Sequence, residues 1–257
     1  MNGNFSINIP AMETTTGVTG YFGKNLAELL SDKITITYKD FDKRKFVRSV
    51  ARGIDEKTLV QRVEWIAENL QIFLPPHYPE AVTILLKILG PQNEKETGMF
   101  TNFYWLMPVG KFVEKYGLEH FSESMPAIEE ITKRNTGEYA IRPFVRKYPG
   151  RTLKQMKKWA ASKNFHLRRL ASEGLRPKLP WASKLDLFIE KPQPVFEILE
   201  ILKTDSVKFV KKSVANHITD YIKVNPGEAD KLIFQWKKSG NEHTQWIVKH
   251  ATRKMAT

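Results

Sequence analysis

Between Lys133 and Lys178 the chain carries 14 basic residues and only two acids, Glu138 and Glu173. Glu173 stands inside HLRRLASEGLRPKLPW (166–181), among Arg168, Arg169, Arg176 and Lys178. A groove that only holds phosphates gains nothing from a carboxylate, because its affinity comes from cations that release condensed counterions. A fixed carboxylate is, by contrast, suited to stabilising a developing positive charge and orienting a water for attack. The competing role is structural: Arg169 and Glu173 are four apart and share a helix face, as do Lys212, Asn216 and Asp220 in the following segment.

The charge is unevenly placed. Residues 1–131 hold 14 Lys+Arg against 17 Asp+Glu, a balance of −3, and residues 132–257 hold 27 against 11, a balance of +16. Such asymmetry is the footprint of a polyanion binder. With 257 residues, 41% of them hydrophobic, the chain has material for a sizeable core. No leader-like stretch and no apolar run long enough to span a bilayer is present; AVTILLKIL is short and contains Lys87. Zero cysteines exclude disulfides, thiol nucleophiles and cysteine-ligated metals, and the six histidines show no HExxH spacing. A cytoplasmic monomer without metal or cofactor is the expectation.

The elements that position these residues read as helices almost throughout. Apolar residues recur at helical spacing in NLAELL, TLVQRVEWIAENL and PEAVTILLKIL, separated by LPPHYP and GPQNEKETG. ITITY (34–38) is the one short alternating exception, and residues 1–20 read as a loose polar segment ahead of a single domain over 21–257. The second half repeats: FHLRRLAS, KFVKKSVA and QWIVKHAT align with Arg169 over Lys212 and Lys212 over His250, shifts of 43 and 38 residues, each preceded by an amphipathic helix and a polar turn. Asn164 and Asp205 stand where N-caps are expected. Helix pairs at a period near 40 predict an all-α, HEAT-like helical repeat solenoid. Stacking would line Arg168 and Arg169, Lys211 and Lys212, and Lys249 into a strip on its concave basic face. Trp159 and Trp236 are expected in the core; Trp181, after a proline, fits either a helix start or a site.

The segments TGEYAIRPF (136–144), HLRRLASEGLRPKLPW (166–181), FVKKSVANHITD (209–220) and WIVKHATRK (246–254) resemble the AlkC-type DNA alkylation-repair glycosylases of the AlkC/AlkD HEAT-repeat superfamily. The resemblance covers most of the chain after residue 20, with Lys178, Lys211 and Lys212 where arginines are usual. It runs to Thr257 without the C-terminal immunoglobulin-like domain that many relatives carry. It implies a monofunctional DNA N-glycosylase that removes cationic N-alkylated bases such as 3-methyladenine from double-stranded DNA. Carried over by motif, the catalytic candidates are Glu138, Glu173, Trp181 and Asp220. Arg142, Arg168, Arg169, Arg176, Lys178, Lys211, Lys212 and Lys249 are the expected DNA contacts. The alternative from another class is a non-catalytic HEAT-like scaffold that binds nucleic acid or an acidic protein partner.

Overall fold

The computed structural model describes residues 17–100 and 102–253. Among them ITITY is not a strand but the end of a helix: Ile34 is buried, Ile36 is 72% exposed, and the hydroxyls of Thr35 and Thr37 bond back to the carbonyls of Ser31 and Ile34. The helices of the first half are α1 (Lys24–Thr37), α2 (Lys43–Arg52), α3 (Leu59–Phe73), α4 (Tyr78–Lys87), α5 (Met107–Tyr116) and α6 (Phe121–Thr132). Those of the second are α7 (Arg142–Lys147), α8 (Pro149–Ala160), α9 (Phe165–Glu173), α10 (Asp186–Glu190), α11 (Gln193–Leu202), α12 (Lys208–Val224), α13 (Pro226–Lys237) and α14 (Glu242–Thr252). No strand occurs among the described residues, and no helix there is long and apolar enough to cross a membrane. The segment read as loose over 1–20 lies, for residues 1–16, outside the described part; residues 17–21 form a short 3-10 turn.

The repeat is seen in the packing. α8 with α9, α11 with α12 and α13 with α14 are the three helix pairs that the alignment outlines, and the second helices pack in series, α9 on α12 and α12 on α14. Local chemistry repeats too. Trp159 and Trp236, 2% and 1% exposed, each donate an indole N–H to a glutamate of the preceding helix pair, Glu129 and Glu200. Asn164 and Asn241 cap α9 and α14 by accepting the amides two and three residues on, which satisfies donors that a helix start otherwise leaves open. Asp205 departs from the pattern. α12 begins three residues later, with Val207 as its cap, and the Asp205 carboxylate takes the Val207 amide and the Arg168 guanidinium.

Candidate active site

Gly137 and Gly174 let the turns beside Glu138 and Glu173 close on neighbouring parts of the chain. A Cβ at Gly137 would stand 2.6 Å from Thr132 Oγ1 and 2.7 Å from Ile128; one at Gly174 would stand 2.7 Å from Ile141. The first contact seats Glu138 in the turn before α7, and the second seats the SEG turn at the end of α9. Arg142 then fastens this second loop. It is 1% exposed, and its guanidinium donates to the carbonyls of Gly174, Arg176 and Ser183 at 3.3, 2.9 and 2.5 Å. Burial lowers its pKa to about 10. The expectation that Arg142 meets DNA is therefore corrected: a buried side chain committed to carbonyls positions the loop and leaves no surface to a phosphate.

Three acids and two arginines, drawn from four parts of the chain, form one alternating row. Glu138 lies 2.9 Å from Arg169 Nη1. Arg169 Nη2 lies 3.7 Å from Glu173, which takes Arg176 Nη1 at 2.6 Å. Arg176 Nε reaches Asp220 at 2.7 Å. Glu138, Glu173 and Asp220 are 3%, 6% and 8% exposed. The Arg169–Glu173 pair read from helix spacing exists, but it is the longest link: Arg169 turns chiefly to Glu138, and Asp220 belongs to Arg176 rather than to Lys212.

Hydrogen bonds separate the roles of the three carboxylates. Glu173 is saturated, with Arg176 on Oε1 and the Ser213 hydroxyl on Oε2 at 2.5 Å. Ser213 continues inward through Ser172 to the buried His217, which desolvation holds neutral, near pKa 3. Glu138 uses one oxygen, Oε2, for Thr136 and Arg169, and Asp220 uses only Oδ2 for Arg176. Glu138 Oε1 and Asp220 Oδ1 accept no hydrogen bond among the described residues.

Electrostatics follows the same division. Burial, reinforced by the neighbouring Glu173, raises the pKa of Glu138 despite Arg169. Burial likewise raises Asp220 against the pull of Arg176. Burial also opposes ionisation of Glu173, but Arg169, Arg176 and Ser213 together outweigh it, and its pKa is lowered.

The row borders a cleft of about 350 Å³, whose lining includes Glu96, Arg169, Glu173, Lys208, Lys212 and Asn216. On the other side stands Trp181. It is 61% exposed, so it is no core residue; its φ of 61° places it in the left-handed region, with Phe100 edge-on at 6.3 Å. Tyr139, next to Glu138, donates to the carbonyl of Pro180 just before it. Trp181 roofs an apolar recess that Met99, Met107, Tyr139 and Thr136 also line, and Thr136 is the residue bonded to Glu138. Thr136 thus links the Glu138 end of the row to the recess that Trp181 lines.

The remaining sequence candidates divide. Lys178, Lys212 and Lys249 are exposed, and Lys211 is half-buried over Trp246. Arg168 is held by Asp205 and by the carbonyls of Ser162 and Lys163. Thr136 and Ser213, which hold two of the carboxylates, escaped the sequence reading because a hydroxyl carries no charge pattern.

Comparison with known proteins agrees with the all-helical fold. The chain is 37% identical over 233 residues to YhaZ of Bacillus subtilis (strain 168), covering 90% of this chain and 62% of that protein. Its structure is similar to the Pseudomonas fluorescens alkylpurine DNA glycosylase AlkC bound to DNA containing an abasic site analog, with a TM-score of 0.82 and 32% identity. That match covers 93% of this chain and 64% of the other, so the chain spans somewhat under two thirds of the length of both relatives. A family model described as DNA alkylation repair enzyme matches residues 109–255, the part that supplies Glu138, Glu173, Trp181 and Asp220. The chain belongs to the DNA alkylation repair enzyme family.

Proposed function

We propose that the chain is a monofunctional DNA N-glycosylase that removes cationic N-alkylated bases such as 3-methyladenine from duplex DNA. The observation that carries this reading is the pair of carboxylate oxygens, Glu138 Oε1 and Asp220 Oδ1, which accept no hydrogen bond among the described residues, at opposite ends of a buried row linked through Thr136 to the recess that the exposed Trp181 lines. An alkylated base that already bears positive charge leaves as a neutral molecule, so no strong acid is required for its departure. Charge passes to the sugar as the N–C1′ bond stretches. A carboxylate fixed nearby stabilises that cation and orients the water that captures it, as carboxylates do in glycoside hydrolysis.

Glu138 and Asp220 are the groups assigned to this work. Glu173, bonded by Arg176 and Ser213, positions the two arginines instead. Trp181 offers a π face to the cationic base or sugar, worth about 0.5 to 2 kcal/mol. Lys178, Lys212 and Lys249, exposed around the row, hold phosphates along the concave basic face. The chain acts as a cytoplasmic monomer, the reaction draws on no metal or cofactor, and the product is an abasic site in an unbroken strand. The test is incubation with duplexes carrying 3-methyladenine or uracil, followed by chromatography of free bases. Release of 3-methyladenine alone supports the reading, and no release of either returns the protein to the scaffold class.

A further inference from the structure

The balance of −3 over residues 1–131 conceals one strongly basic element. α2, KRKFVRSVAR, has five cations and no acid. Asp32 and Asp42 pair with Lys43 and Lys45. Arg44, Arg48 and Arg52 are all exposed, and none of their guanidinium groups is in an ion pair or hydrogen bond among the described residues. This sets them apart from Arg142, Arg168, Arg169 and Arg176, all engaged internally.

The three arginines are four residues apart and form one ridge, with successive Cα atoms about 6 Å from each other along the axis. Arg48 and Arg52 stand between two open depressions of about 610 and 560 Å³, the first also lined by Lys24 and Arg44 and the second by Lys45 and Trp65. Like charges at this spacing weaken a helix. The arrangement gains its value from an external polyanion.

The apolar face of α2 is already used: Phe46 and Val50 are fully buried. A basic helix that lies on a membrane inserts its apolar face, and α2 has none left to insert. Its position points to nucleic acid. α2 packs on α3 through the Trp65 indole, which donates to the Val50 carbonyl, and the start of α3 lines the recess roofed by Trp181. α2 is thus one helix removed from the candidate site.

We infer that the Arg44, Arg48 and Arg52 ridge is a second contact to the phosphate backbone of DNA, on the duplex flanking the lesion. The inference rests on the proposed reading of the site as one that takes duplex DNA. Each neutralised phosphate contributes about 0.9 to the slope of log K against log salt, so three contribute about 2.7.

The experiment measures binding of the full chain to a long undamaged duplex by fluorescence anisotropy across a salt series. Wild type is compared with Arg44→Ala/Arg48→Ala/Arg52→Ala and with the corresponding triple lysine variant, each checked for an unchanged urea midpoint. A slope shallower by about 2.7 for the alanine variant, with the lysine variant near wild type, supports the ridge. Equal slopes for all three overturn it, as does a loss confined to anionic phosphatidylserine vesicles or to RNA. Base release is measured separately on wild type. Its absence alongside a changed slope sinks only the glycosylase reading, and its presence alongside equal slopes sinks only the ridge.

Discussion

Arg176 reaches Asp220 at 2.7 Å across 44 positions of sequence, and through it the SEG turn and the middle of α12 share one charge. The same guanidinium holds Glu173. Removing it leaves two buried carboxylates facing each other with a single cation, Arg169, between them and Glu138. Breaking a buried pair from one side costs about 3 to 5 kcal/mol. Arg176→Met is expected to lower unfolding stability by about that amount, measured by urea denaturation, and to abolish base release. A variant with an unchanged urea midpoint would show that the row contributes nothing to the fold.

Glu138→Gln and Asp220→Asn are each expected to slow base release by about 100-fold or more, the usual consequence of removing one preorganised electrostatic group. Affinity for duplex DNA should be equal or higher, because each change deletes a negative charge from the surface proposed to take a polyanion. Single-turnover rates and anisotropy on the same preparations test this. Full excision rates in both variants would remove these residues from the mechanism.

The pH dependence has a definite sign. In the proposed mechanism Glu138 and Asp220 work as carboxylates, and burial raises both above their usual range. Base release should therefore fall as pH decreases, and the fall should begin above the ordinary carboxylate range of about 4. Glu173, lowered by its arginines, stays ionised through this window. A single-turnover pH–rate profile flat down to the ordinary range would contradict the assignment.

Trp181 separates function from stability. Being exposed, it supports no core, and Trp181→Ala should leave the urea midpoint almost unmoved while weakening base release. Its φ of 61° adds a second test. Glycine occupies the left-handed region without the Cβ clash of about 1 to 2 kcal/mol. Trp181→Gly should accordingly be more stable than Trp181→Ala by about 1 kcal/mol, once the greater freedom of unfolded glycine is offset.

The helix pairs were legible because an amphipathic period repeats within each unit, and the Asn164 cap because a short polar side chain before a helix has one strong local use. Both are local patterns. The row was legible only in part. Spacing along α9 exposes Arg169 beside Glu173, but it says nothing of Glu138 or Asp220, whose partners arrive from α9 and from the loop after it, 31 and 44 positions away in sequence. Arg142 was misleading for a related reason, since charge suggests surface, and Trp181 stood open between a helix start and a site. Here carbonyls at a loop end draw the arginine inward, while the turn after Pro180 turns the tryptophan out. The basic ridge of α2 vanished in an average over half the chain.

The alternating row also constrains how such a protein changes over generations. With all five groups ionised it carries a net charge of −1, and each interior member neutralises neighbours on both sides. A single substitution of either arginine strands a buried carboxylate, Glu138 for Arg169 or Asp220 for Arg176. Viable departures must then come as compensated pairs, and residues 138 with 169, or 176 with 220, should covary among descendants even though they are distant in sequence. A lineage that lost one of these arginines alone would have to cross a valley of less stable intermediates before its partner followed.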